Sequence, residues 1–150
     1  MKLRWAALWV VLALSALMPD SAVAQGGGQP PVRRPGRLGQ NYPNPFNPET
    51  WIPFAVGDSA CAEPSKQYRV TLRIYNSLAQ VVAVPVLQGG AGGTAGGDRV
   101  ESATLPCGSF TAYWNGKILN SNRDAASGVY VYRLDVDGKF VEMKKFLVSK

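Results

Sequence analysis

Read for spacing alone, the chain is dominated by a period of two. Tyr68, Val70, Leu72 and Ile74 line one face of an extended segment while Arg69, Thr71 and Arg73 line the other, the alternation of a half-buried antiparallel strand. Strand-like runs are also predicted at residues 50–56, 80–87, 99–105, 108–114, 128–136 and 139–149. Residues 88–98, with six glycines, and the polar residues 115–126 read as loops between them. Helical periodicity is almost absent. About seven short strands separated by turn signals predict an all-β sandwich of antiparallel strands, with Pro53 marking the first strand as an edge because it has no N–H for a second ladder.

The strongest local signal is Asp137-Gly138 between the last two runs, a pair that favours a two-residue hairpin turn because both positions tolerate positive φ. With Val136 opposite Lys139, an unbroken register sets Leu134 against Val141, Tyr132 against Met143 and Arg133 against Glu142. The same register turns Lys145 inward opposite Tyr130, which predicts either a snorkelling lysine or a bulge that resets the pairing.

The N-terminus has a different logic. Lys2 and Arg4 precede an apolar run over residues 5–18 and the small-residue site Ala22-Val23-Ala24, the layout of a signal peptide cleaved after residue 24. The run is shorter than the ~20 residues that span a bilayer, which disfavours an anchor. No later stretch is apolar enough to cross a membrane. Residues 25–37, rich in proline and glycine, read as a flexible tether before a domain at residues 38–150. Removal of residues 1–24 takes away Lys2, Arg4 and Asp20 and lowers the net charge from +6 to +5. Arg33, Arg34 and Arg37 cluster in the tether; they read as a solvated linker, with attraction to acidic surface polysaccharide or lipid headgroups as the functional alternative.

Next comes Asn41-Tyr42-Pro43-Asn44-Pro45-Phe46-Asn47-Pro48-Glu49, whose prolines exclude helix and predict an extended, turn-rich ribbon with Tyr42 and Phe46 as apolar pegs on the β domain. Residues 38–50, LGQNYPNPFNPET, closely resemble the opening of the type A C-terminal sorting domains of type IX secretion cargo, which are Ig-like sandwiches related to the flagellar hook-capping protein. The resemblance continues in Val70-Thr71-Leu72-Arg73-Ile74-Tyr75-Asn76, in Trp114-Asn115-Gly116, in residues 127–134 (SGVYVYRL) and in the Lys-rich last strand, and so covers residues 38–150. It implies an Ig-like sandwich, export to the periplasm and outer-membrane surface or beyond, and protein components of an outer-membrane secretion machinery as partners. The family usually has glycine where this chain has Ala79, and it does not generally depend on a disulfide.

Most matching residues have structural explanations: Trp114, Tyr130, Tyr132 and Leu134 as core, Asn115-Gly116 and Asp137-Gly138 as turns. What remains for recognition by export machinery is Asn44, Pro45, Phe46, Asn47 and Pro48 in the ribbon, and Lys144, Lys145 and Lys150 in the terminal strand.

Candidate chemistry is sparse. Cys61 and Cys107 fall in predicted loops of a chain expected to be exported, so a disulfide is the natural reading. With zero histidines there is no Ser-His-Asp or Cys-His arrangement, and no enzyme, cofactor or metal is expected. A calcium site from Asp98, Asp135 and Asp137 would lack a suitably placed bidentate Glu. Gly90-Ala91-Gly92-Gly93-Thr94-Ala95 has the letters of a dinucleotide fingerprint but is followed by glycines and a strand rather than a helix. Nucleic acid is not expected as a partner, because the aromatics fall at strand spacing.

Two functions follow as expectations. The first is a secreted, non-enzymatic sorting or anchoring domain that docks its terminal strands by strand addition. The residues that precede it here, 25–37, supply only a tether and no cargo, which leaves open that the sandwich is itself the product. The alternative is a stand-alone adhesion or carbohydrate-binding module in which Trp51 or Tyr113, out of phase with the core positions, stacks on sugar rings.

Overall fold

The computed structural model describes residues 34–58 and 60–150, so the predicted signal peptide and residues 25–33 of the tether lie outside the described residues. Among the described residues nine strands follow one another: β1 (Gly36–Leu38), β2 (Thr50–Val56), β3 (Gln67–Tyr75), β4 (Val81–Ala83), β5 (Val86–Gly90), β6 (Ala103–Pro106), β7 (Gly108–Trp114), β8 (Gly128–Val136) and β9 (Lys139–Val148). Two antiparallel sheets pack together, as the two-residue period implies. The first is ordered β1-β2-β7-β5 and the second β4-β3-β8-β9, with β6 against the first half of β3. Ile52, Phe54, Val56, Phe110, Ala112 and Trp114 from the first sheet meet Val70, Leu72, Ile74, Tyr132, Leu134 and Val136 from the second, all buried. Removing such side chains from water is the main stabilising term, about 1.5–3 kcal/mol each.

Four local expectations change. The run at residues 80–87 is two strands, because Val84-Pro85 breaks the ladder and carries the chain from β4 in one sheet to β5 in the other. The run at 99–105 shortens to Ala103–Pro106, while Arg99 makes only an isolated bridge to Val86. Gly36 and Arg37, assigned to the tether from sequence, pair with Val56 and Ala55 as β1, and β2 is therefore interior rather than an edge. Pro53 is tolerated there because it sits just past the end of β1, where its carbonyl accepts the Gly39 N–H at 2.8 Å and no ladder donor is needed.

The fourth change is in the hairpin. Val136 faces Lys139 and Asp135 faces Phe140, but a bulge at Val141 then shifts every later pair by one residue. Leu134 thus opposes Glu142 rather than Val141, Tyr132 opposes Lys144 rather than Met143, and Arg133 opposes Met143 rather than Glu142. The bulge resolves the inward-lysine problem: Tyr130 now meets Phe146, and Lys145 moves to the outer face opposite Val131. Arg133 turns instead to Asp135 on its own strand, at 2.7 Å.

The cysteines are bonded. Cys61 and Cys107, with Cα atoms 5.6 Å apart, join the β2–β3 connection to the single residue between β6 and β7, and both connections cross from one sheet to the other at the same end of the sandwich.

Candidate functional site

The ribbon and the last strand, about a hundred residues apart in sequence, meet at the opposite end. Phe46 makes a parallel bridge to Val148: its N–H donates to the Leu147 carbonyl at 3.1 Å, and its carbonyl accepts the Ser149 N–H at 3.1 Å. The Asn44 side-chain oxygen accepts the Leu147 N–H at 3.0 Å. The ribbon therefore occupies the C-terminal part of the β9 edge as an extra, irregular strand.

Phe46 fastens it. The ring is 1% exposed and packs against Trp114 at 5.2 Å and Phe146 at 5.4 Å between centroids, and Trp114, Tyr130, Tyr132 and Phe146 complete one aromatic cluster. Behind it, the Pro48 carbonyl lies over the turn after Trp114. A Cβ at Gly116 would fall 2.4 Å from that oxygen, and φ there is +73°, so ribbon and turn fit only with glycine at this position. Asn44, Pro45 and Asn47 remain on the surface. Tyr42, expected as a second peg, lies on the outer face at 53% exposure.

Two residues missed as site components hold the entry to the ribbon. Asn41 and Thr50 are buried polar side chains. The Asn41 amide donates to the Pro43 carbonyl (3.1 Å) and the Thr50 hydroxyl (3.0 Å), while its own N–H donates to the Tyr132 hydroxyl (3.0 Å). The Tyr132 hydroxyl in turn donates to the Gly39 carbonyl at 2.8 Å. Burial pushes the Tyr132 phenol up to about 12, so the hydroxyl stays protonated and able to donate. Asn41 stands in the ribbon sequence, but its role depends on Tyr132, which lies 91 residues away.

The three candidate lysines do not converge. Lys144 faces inward at the edge, 3.5 Å from Glu142, whose other oxygen accepts the Leu38 N–H at 2.9 Å and ties β9 to β1. Lys145 is exposed on the outer face and has no ion-pair partner among the described residues. Lys150 reaches Asp124 at 3.5 Å, and its N–H donates to Ser127. Asp124 also pairs with Lys117 at 2.5 Å; that hydrogen bond and charge, with Lys150 adding to them, hold its carboxyl below the ordinary range. Backbone groups of Met143 and Lys145 point to the same edge as those of Leu147, by the two-residue period. The edge is thus open for about three residues between the Glu142 contact and the ribbon.

The carboxylates considered for calcium go separate ways: Asp135 pairs with Arg133, and Asp137 accepts the Arg69 N–H at 2.9 Å. Among the described residues no group of three metal-ligating side chains forms. The glycine-rich decoy becomes the end of β5 and one 3-10 turn over Ala91–Gly93.

No family model matches the chain, and no curated protein matches it. Among solved structures, it is similar to the alkylpurine DNA glycosylase AlkC of Pseudomonas fluorescens bound to DNA containing an abasic site analogue, at 12% identity and a TM-score of 0.47. The match covers 78% of this chain and 31% of the glycosylase chain. A likeness of that size carries neither fold nor activity across.

Proposed function

We propose that this is an exported, non-enzymatic Ig-like domain of the type IX sorting class, read by outer-membrane secretion machinery. The observation that supports this best is the joining of the ribbon to the end of β9: Asn44, Phe46, Leu147 and Ser149 share one hydrogen-bonded seam. Both segments left without a structural explanation in the sequence therefore form a single feature. On this reading the machinery reads a composite surface of Asn44, Pro45 and Asn47 with Lys145 and the chain end, and Phe46 is the internal anchor that presents it.

Strand addition takes a restricted form. The open stretch at Met143–Lys145 is shorter than the usual five or six residues of a strand, so a partner strand pairs there only briefly or displaces the ribbon. Fusion of residues 34–150 to a secreted reporter tests the reading. Surface delivery should occur in a host with a type IX system and fail in an isogenic host from which that system is deleted. Equal delivery in both hosts would refute it.

A further inference from the structure

The outer face of the first sheet carries aromatic rings that the sorting reading does not use. Tyr42, Trp51 and Tyr113 come from three chain segments brought side by side: Tyr42 bridges to Trp51, and Trp51 pairs with Tyr113. Tyr42 and Trp51 stack with centroids 6.2 Å apart and planes at 16°; Trp51 and Tyr113 follow at 5.5 Å. All three point away from the core, since their strand neighbours Thr50, Ile52, Ala112 and Trp114 are the buried ones. Glu49 accepts the Tyr113 hydroxyl at 2.5 Å, which fixes the ring's tilt and raises the phenol above its ordinary range.

Concave surface adjoins this row in two places. One strand period below it, Pro53 pairs with Thr111, and with Ala55, Ser109 and Gly90 these small residues floor a groove of about 420 Å³ with Arg37 at its margin. Beyond Tyr113 lies a cleft of about 370 Å³ whose polar lining includes Arg99, Asn115, Lys117 and Asn122. Lys117 is engaged by Asp124, whereas neither Arg37 nor Arg99 has a carboxylate within ion-pair distance among the described residues.

We propose that this face is a binding platform for an acidic polysaccharide, with sugar rings laid on Trp51 and Tyr42 and carboxylates held by Arg99 and Arg37. A pyranose ring presents a flat C–H face that packs on an aromatic face while its hydroxyls and acid groups stay at the rim; the row offers the near-parallel rings of Tyr42 and Trp51, with Tyr113 tilted by 53° at the end next to the amides and Arg99. Charge complementarity selects an acidic over a neutral chain: Arg99 lies beyond the Tyr113 end of the row and Arg37 lies beside Ala55, two strand periods from Trp51, so a polymer running obliquely over the row meets both. The platform borrows Tyr42 and Glu49 from the ribbon but none of the seam contacts of Asn44, Phe46, Leu147 and Ser149, so Asn44→Ala should leave polysaccharide binding unchanged.

The probe is polygalacturonate, with its fully methyl-esterified, uncharged form as control, titrated into the exported chain by calorimetry and tryptophan fluorescence. Trp51 reports the site, because the other tryptophan of the described residues, Trp114, is 3% exposed. Saturable binding with a change in emission is expected, about tenfold weaker for the esterified polymer. Trp51→Ala and Tyr42→Ala should each weaken binding about tenfold or more. Tyr42→Ala guards against misfolding, since that ring is 53% exposed. Arg99→Gln should weaken binding of the acidic polymer and leave the esterified one unchanged. No saturable binding of polygalacturonate, unaltered affinity in Tyr42→Ala, tighter binding of oligothymidylate, or a stable dimer that hides Trp51 from the polymer would each overturn the proposal.

Discussion

The two ends of the β2–β7 pair are closed by different physics. At the Val56 end, where Val56 faces Gly108, the sheet-crossing connections are joined by a covalent bond between Cys61 and Cys107. At the Thr50 end, where Thr50 faces Trp114, closure depends on the aromatic cluster around Phe46 and the hydrogen bonds of Asn41, Thr50 and Tyr132. A bond holds its geometry when packing loosens, but a ribbon held by one buried ring and a few hydrogen bonds does not. Damage at the disulfide end should therefore cost stability alone, while damage at the ribbon end should remove stability and the recognition surface together.

The largest break in that symmetry is Phe46→Ala. Loss of a fully buried phenylalanine costs about 3–5 kcal/mol, and freeing the ribbon should make the Leu147 and Ser149 amides exchange rapidly; urea unfolding and amide exchange read the two effects. Next is Cys61→Ser with Cys107→Ser. Opening a loop of 46 residues should cost about 2–4 kcal/mol in the chain-entropy account, with the Leu147 and Ser149 amides still protected below the lowered melting temperature.

Tyr132→Phe is smaller. It leaves the buried Asn41 N–H and Gly39 carbonyl without their partner, for about 1–2 kcal/mol. It also has a pH signature. The folded-state phenol, pushed up to about 12 by burial, lies above the unfolded value of 10.0, so its contribution is complete below pH 10 and is lost as pH rises toward 12. Tyr132→Phe should remove that part of the alkaline decline, measured as melting temperature against pH. The smallest change lies away from both ends: Ala79 holds φ +58° in the turn that Asn76 organises, and Ala79→Gly should stabilise by about 0.5 kcal/mol in thermal melts.

The same contrast marks what the sequence discloses. Period-two alternation reads β3 residue by residue, and Asp137-Gly138 places its hairpin, because both signals are local. Two cysteines in predicted loops likewise announce their pairing. The bulge at Val141 shows in the sequence only as a conflict at Lys145, since a register cannot say where along a strand the extra residue is absorbed. The break at Pro85 is hidden because apolar residues continue on both sides of it, although they pack into different sheets. The partners of Asn41 and the edge that the ribbon occupies are tertiary facts, set by pairing across about a hundred residues, and no local pattern encodes them. Trp51 and Tyr113 are legible as outward-facing, whereas Tyr42 reads as a peg because ribbon sequence alone does not distinguish it from Phe46.

The most direct test of the central claim, that ribbon and last strand act as one recognition feature, is surface delivery of the 34–150 reporter fusion carrying Asn44→Ala in a host with a type IX system. Asn44 is exposed and its side chain accepts the Leu147 N–H, so the substitution removes one of the three hydrogen bonds of the seam together with a surface side chain of the proposed recognition feature, and leaves the aromatic core intact. Delivery should fall about tenfold or more, with a melting temperature within a few degrees of the parent. Undiminished delivery from a folded Asn44→Ala fusion would mean that ribbon and last strand are not read together.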